Sequence, residues 1–231
     1  MKLKDFKGVF KKTQLTFIKA EKVGEDYYVI RFEKPKKKIW RAGEHGIFSL
    51  KHSWFKGRKW HVFSLASSFK EDEILVGTRT GQKISNYKKA LISLKKGDVV
   101  KLRGPFGWFT EQDSVSPMVL IGLGVGITPI RALLKDNEIS DKTINVIYSS
   151  NETYLFKEDL DGLKDNKNLT IKYTKNKMDT TQEITRAIGL YGNNAYYYIG
   201  GSPKSVKSIK KLLRSKNINR KRIINDPFYG Y

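Results

Sequence analysis

The sequence predicts two domains in succession: a six-stranded antiparallel β-barrel over residues 1–112, then a doubly wound α/β domain with a five-stranded parallel sheet over residues 113–231. Three observations predict this. Short apolar strands alternating with turns fill the first half, the pattern of an antiparallel barrel. In the second half apolar runs are separated by helical patterns, the pattern of a parallel sheet covered on both faces. The polar stretch 111–117 parts the two regimes.

Barrel strands are expected near 13–19, 27–32, 45–50, 61–64, 74–80 and 99–102. A helix is expected over 85–94, where Tyr87, Ala90, Leu91 and Leu94 recur at helical spacing. The parallel strands are expected at 118–121, 144–148, 169–173, 196–199 and 222–225, with helices starting near Pro129, Phe156, Gln182 and Pro203.

The composition excludes several classes. With 231 residues and 39% hydrophobic content, each domain has enough apolar surface to bury a core. The longest apolar run, 118–130, stops at Arg131 and falls short of a membrane span. The first twenty residues interleave lysines with apolar residues and carry no export signal. The absence of cysteine excludes disulfides, thiolate metal sites and redox thiol pairs within these residues, so electrons need a borrowed cofactor. His45, His52 and His61 show no metal-ligand spacing, and no metal is expected. The formal charge of +22 attracts anions without choosing among dinucleotides, nucleic acid and an acidic membrane face; a lysine-rich solvated surface is its main explanation, because most charge runs are solvated faces.

The sharpest motif runs from Met118 through Gly122, Gly124 and Gly126 to Thr128 and Pro129, a buried strand entering a glycine turn and a helix start. Threonine then proline reads as N-cap and first helical residue, leaving free backbone N–H groups to receive phosphate. Glycine turns also serve close packing, and that alternative stays open. The next strand ends at Ser149, Ser150 and Asn151 with no acid to grip a ribose 2′-hydroxyl, and Lys172 and Lys175 follow, a set that favours NADPH over NADH. Gly200, Gly201, Ser202 and Pro203 form a second close-approach turn across the strand order's switch point.

In the barrel half, alternation puts His61 and Phe63 on one strand face and Ser64 on the other. A flavin ring needs such an aromatic surface and hydroxyl, although aromatics fill strands for packing alone. Arg79, Gly81, Lys83 and Ser85 lead into the barrel helix with two cations, a glycine and a capping serine. Gly104 to Gly107, with Phe106 between, reads as a tight turn after the last barrel strand.

Taken in order from about Thr13 to the last residue, these elements resemble the ferredoxin–NADP reductase superfamily. The superfamily's flavin motif, Arg-x-Tyr-Ser/Thr, reads here His61-Val62-Phe63-Ser64, similar to the His-Pro-Phe-Thr/Ser of its NADPH oxidase and ferric reductase branch with Val62 in place of proline. The resemblance implies FAD in the barrel, with Phe63 and Ser64 at the isoalloxazine, His61 near the phosphates or ribityl chain, and Gly81 and Ser85 in a pyrophosphate loop one residue longer than usual. It implies that Gly104 and Phe106 belong to the turn closing the FAD domain, and that Gly122, Gly124, Gly126, Thr128 and Pro129 hold NADPH or NADH. Gly200, Gly201 and Ser202 stand where the family has Cys-Gly-Pro. Asp226-Pro227-Phe228 resembles the terminal Glu-x-Phe, whose ring covers the flavin, making Phe228 the expected lid. Ser64, Thr128 and Phe228 are the candidate catalytic positions.

The implied activity is hydride transfer from NAD(P)H to FAD, then single-electron transfer to a haem in an attached or partner membrane domain, with oxygen or ferric iron as final acceptor. Lys2, Lys4, Lys7, Lys11 and Lys12 would suit the cytoplasmic face of a membrane, and equally an ordinary basic terminus. A soluble reductase of ferredoxin, flavodoxin or free flavin is the alternative. A basic nucleic-acid binder is a distant one, because no DNA or RNA module is present and the glycine turns stay unexplained.

Overall fold

The computed structural model describes residues 3–36, 38–50 and 56–227. The barrel half contains β1 (Lys12–Val23), β2 (Tyr27–Glu33), β3 (His45–Leu50), β4 (Trp60–Ser64), β5 (Glu73–Arg79), helix α1 (Asn86–Ile92) and β6 (Val99–Phe106). Its strands form one sheet in the order β4-β3-β6-β1-β2-β5, every pairing antiparallel. A bridge between Leu65 and Val76 brings the two ends of that sheet together, so the sheet curls into a barrel. Inward-facing Leu15, Phe17, Ile30, Phe32, Phe48, Val76 and Leu102 fill it.

The second half contains β7 (Met118–Leu123), α2 (Ile127–Asp136), β8 (Ile144–Ser149), α3 (Lys157–Asp161), β9 (Leu169–Thr174), α4 (Lys177–Tyr191), β10 (Tyr196–Gly201), α5 (Pro203–Ser215) and β11 (Ile223–Pro227). The strands form a parallel sheet in the order β11-β10-β7-β8-β9. Central β7 is apolar along its length because both faces are covered. Val119 and Ile121 pack with Ile184, Val206 and Leu213 on one face, whereas Leu120 joins Ile130, Leu133 and Leu155 on the other.

That second core continues into the barrel, since Tyr27, Val29, Ala66 and Leu75 belong to it. The two halves therefore share buried apolar surface. Arg131 pins the seam, with Nη1 donating to Ala66 O at 2.9 Å and ion pairs to Glu71 at 2.9 Å and Asp159 at 2.7 Å.

Four local expectations are corrected. Helix α4 starts at Lys177 instead of near Gln182, because Asn176 caps it, its Oδ1 accepting from Asp179 N; the apolar periodicity begins only at Ile184. Helix α2 begins at Ile127, so Thr128 and Pro129 lie inside it and Thr128 is not its N-cap. Gly104, Pro105 and Phe106 belong to β6 itself and not to a turn beyond it. A 3-10 helix over Leu3–Phe10 precedes β1 where no element was expected.

Candidate functional site

A crevice of about 750 Å³ opens at the carboxyl ends of the parallel strands. It lies at the switch point, where β7 is flanked by β10 on one side and β8 on the other and the chain winds off in opposite directions. One wall is the turn Leu123–Gly124–Val125; Gly124 has φ +55°, and a Cβ there would meet only Tyr27 Oη, at 3.2 Å. The opposite walls are helix starts. Asn176 caps α4, and Ser202 caps α5 by accepting from Ser205 N at 3.2 Å; Lys177 and Lys204 follow them into the lining. Two positive helix ends and two lysines thus face one cavity, which favours a polyanion.

The barrel closes the crevice from above with Tyr27 and Arg79. The Arg79 guanidinium sits 5.3 Å over the Tyr27 ring, and its Nε pairs with Asp26 Oδ2 at 2.8 Å. Stacking and pairing fix the direction of a long cationic side chain that would otherwise lose rotamer freedom on binding.

Of the expected dinucleotide residues, Gly124, Ser149, Ser150 and Ser202 line the crevice, joined by Arg79, which the sequence had placed in a pyrophosphate loop of the barrel. Ser150 Oγ donates to Thr153 O at 2.5 Å, and Ser149 Oγ accepts from Thr180 at 3.0 Å. Gly122, Gly126, Thr128, Pro129, Gly200 and Gly201 stand behind the lining. A Cβ on Gly126 would come within 2.2 Å of Gly200 backbone atoms, so these two glycines let the two turns touch. Thr128 is fully buried; its Oγ1 donates to Val125 O at 2.7 Å and abuts Gly77 of β5. It cannot reach a ligand in the crevice. Lys172 and Lys175 are absent from the lining, and Lys177 and Lys204 take their place. Sequence reading missed Tyr27, Asn176, Lys177 and Lys204; the Asn-x-x-Asp start of α4 was the signal for two of them.

A second cluster sits where β4 meets β11. Ser64 is buried, and its Oγ donates to Asp226 Oδ2 at 2.6 Å. On the other face of β4, as alternation predicts, His61 packs 4.6 Å from Phe63 and 5.7 Å from Tyr87, ring centroid to ring centroid. Phe63 is 5% exposed, its ring edge-on to Phe48 in the barrel core. Burial, then Lys88 and Arg58, push the His61 imidazole down to about 4, so it meets neutral pH uncharged. Val62 is partly buried beside it. Gly81, at φ +65° with open space around it, and Lys83 precede α1, which Ser85 caps by accepting from Lys88 N at 3.2 Å. Gly104 lies on the far side, lining a separate cavity with Lys11, Lys38 and Trp40. Phe106 packs on His45, 4.5 Å between centroids. Phe228 lies outside the described residues. Among those residues no cluster of acids and histidines is arranged to hold a metal.

No family model matches the chain. It is 29% identical over 168 residues to a component of the Na(+)-translocating NADH-quinone reductase of Shewanella denitrificans, a match covering 64% of this chain and 40% of that polypeptide. It is 35% identical over 108 residues to a flavohemoprotein of Pseudomonas putida, covering 46% of this chain and 27% of that protein. The matches thus span less than half the length of these relatives. Among solved structures, ferredoxin NADP+ reductase from Neisseria gonorrhoeae with bound FAD and NADP superposes with a TM-score of 0.78 at 17% identity, covering 95% of this chain and 99% of that one. Flavohemoglobin from Malassezia yamatoensis with bound FAD and heme gives 0.77 at 19% identity, covering 94% and 60%. With its antiparallel barrel, its five-stranded parallel sheet and the crevice between them, the chain has the two-domain fold of the ferredoxin–NADP reductase-like superfamily.

Proposed function

We propose that the chain is a flavoprotein oxidoreductase that takes hydride from NAD(P)H onto FAD and passes the electrons onward, with residues 1–112 holding FAD and residues 113–231 the nicotinamide dinucleotide. The observation that carries this reading is the crevice, whose walls come from both halves and set the Gly124 turn opposite two capped helix starts. Its volume of about 750 Å³ suits an extended ligand of dinucleotide size.

The donor set fits. The α4 and α5 starts with Lys177, Lys204 and Arg79 would hold phosphates, and Ser149 and Ser150 would meet the adenosine ribose without repelling a 2′-phosphate. Gly122, Gly126, Thr128, Pro129, Gly200 and Gly201 shape the crevice from behind. In the barrel, His61, Val62, Phe63, Gly81, Lys83 and Ser85 would hold FAD, His61 as a neutral donor and Lys83 as a cation. Ser64, whose hydroxyl donates to Asp226, would stand beside the hydride path, and the resemblance assigns the covering of the ring to Phe228. FAD supplies a ring that accepts two electrons together and releases them singly. The protein's own contribution is to align donor and ring and exclude water, which is where most of the rate arises.

The onward acceptor is a haem in an attached or separate membrane domain, with the chain at the cytoplasmic face, as in the NADPH oxidase and ferric reductase branch. That finer assignment rests on His61-Val62-Phe63-Ser64, and the flavohemoprotein relative supports haem as the acceptor's chemistry. No helix among the described residues is long and apolar enough to cross a membrane. A second reading, a reductase serving ferredoxin or flavodoxin, is favoured by coverage of 99% of the Neisseria gonorrhoeae reductase. Purified protein with flavin absorbance that bleaches on adding NADPH supports the oxidoreductase; a colourless protein that stays colourless when reconstituted with FAD refutes it. Reduction of a haem partner against reduction of ferredoxin then separates the two acceptors.

A further inference from the structure

Three side chains from distant parts of the chain meet where the two sheets face each other. Asp226 near the end of β11 is 6% exposed. Ser64 donates to its Oδ2, and Nδ1 of His45 stands 3.8 Å from its Oδ1. That Nδ1 is buried with no hydrogen-bond partner among the described residues. Packing fixes the imidazole: it is edge-on to Phe106 and Trp108, and it lies on the bare backbone of Gly107, where a Cβ would come within 2.9 Å of the ring. A buried nitrogen without a partner and a buried carboxylate are each costly, and one proton between them relieves both.

Resting on the oxidoreductase reading, we propose that His45 and Asp226 form one buried acid–base unit holding a single shared proton, and that His45 thereby positions the Ser64 hydroxyl. With one proton the unit is neutral, whether written as imidazolium and carboxylate or as imidazole and carboxylic acid. Losing that proton to solvent leaves a net charge of −1 in a dry site, and gaining a second leaves +1. While the proton stays on the Oδ1 side, beside His45, Oδ2 remains an acceptor and Ser64 must donate. Without His45 the proton can settle on Oδ2 and turn Ser64 around.

Among the described residues, the neighbouring charged groups are engaged elsewhere. Glu44, beside His45, faces Arg41 at 2.8 Å, and the same guanidinium reaches Asp5 at 3.3 Å. From α5, Lys210 donates to the Asn225 side chain, and from beyond β6 the Trp108 indole donates to Asn225 O. Strand β10 places Gly200 in register with Asp226. Burial pushes the His45 imidazole down and the Asp226 carboxyl up, each opposed by the other's charge, His45 also by Glu44 and Asp226 by the Ser64 hydrogen bond.

An NMR pH titration of the three histidine rings, assigned by single substitutions, reads the unit directly. His45 is expected to titrate in one step shared with the Asp226 carboxyl, and Asp226→Asn, which removes the charge that opposes burial of the ring, is expected to move the His45 step to lower pH. Identical His45 curves in the two proteins would overturn the proposal. Should Asp226→Asn fail to fold, Ser64→Ala tests the same unit: losing the donor to Oδ2 raises the carboxyl's proton affinity and moves the step up by about one pH unit, and an unmoved step overturns it. In NADPH oxidation with ferricyanide as acceptor, His45→Gln, which donates to Oδ1 without titrating, is expected to move the alkaline limb of kcat about one unit lower with KM within about twofold. An unmoved limb overturns the positioning role. A coupled titration in a protein that oxidises no NAD(P)H keeps the pair and sinks the oxidoreductase reading; oxidation with uncoupled titration does the reverse.

Discussion

The Oγ of Ser64 on β4 donates a 2.6 Å hydrogen bond to Oδ2 of Asp226 on β11, joining the barrel to the edge strand of the parallel sheet across 162 positions of sequence. Both groups are buried. Ser64→Ala strips the carboxylate of this donor, and the expected loss of stability is about 1–3 kcal/mol, read from urea denaturation at neutral pH. Ser64→Thr, which keeps the hydroxyl, is expected to recover most of it.

Gly124 and Gly126 look alike in the sequence and differ in space. A bulky residue at Gly124 is expected to block nicotinamide dinucleotide while leaving flavin bound, at a folding cost of about 1–2 kcal/mol for the left-handed backbone. Gly126→Ala is expected to lose both cofactors together, because its Cβ would come within 2.2 Å of Gly200 backbone atoms and the two turns must separate. Cofactor content and melting temperature of the two variants check the contrast.

Arg131 is 4% exposed and holds Ala66 O, Glu71 and Asp159 at once. Arg131→Met keeps the apolar stem and removes the charge, leaving Glu71 and Asp159 facing each other across the seam. The expected destabilisation is about 3 kcal/mol, with the single unfolding transition broadening as the halves uncouple. Denaturation followed by tryptophan fluorescence and by far-UV circular dichroism checks both.

His61 gives a pH dependence with a definite sign. Its ring titrates at about 4 when folded, against 6.5 ordinarily. Between those values the unfolded chain binds the extra proton, so the stabilisation is complete above about 6.5 and drains away as pH falls toward 4, by about 3 kcal/mol at most. His61→Gln is expected to flatten that part of the stability curve, measured as urea midpoints from pH 7 down to pH 4.

Lys204 and Lys177 stand at the two helix starts on the crevice. Replacing either with alanine is expected to raise KM for NADPH about fivefold, roughly 1 kcal/mol, and to weaken its dependence on salt. Unchanged KM and salt dependence would remove these lysines from the phosphate site.

Much of the architecture was legible beforehand. The strand positions and the change of regime at 111–117 follow from periodicity, a property of neighbouring residues. The candidate site was legible as a set of turns, and Gly124, Ser149, Ser150 and Ser202 do line one crevice. Reading Thr128 as a cap failed because the chain begins its helical turn earlier, at Ile127, and directs the threonine into the seam with β5.

By itself, then, the sequence determined which segments are strands and helices, in what order, and where the backbone could turn tightly, because those choices depend on side chains a few residues apart. Only the tertiary structure decided which glycines face a cavity and which face each other, that Tyr27 and Arg79 of the barrel roof the crevice, and that His45, Ser64 and Asp226 share one dry corner. Those relationships depend on strand order and on the docking of two apolar surfaces, which bring together residues whose separation along the chain carries no local signal.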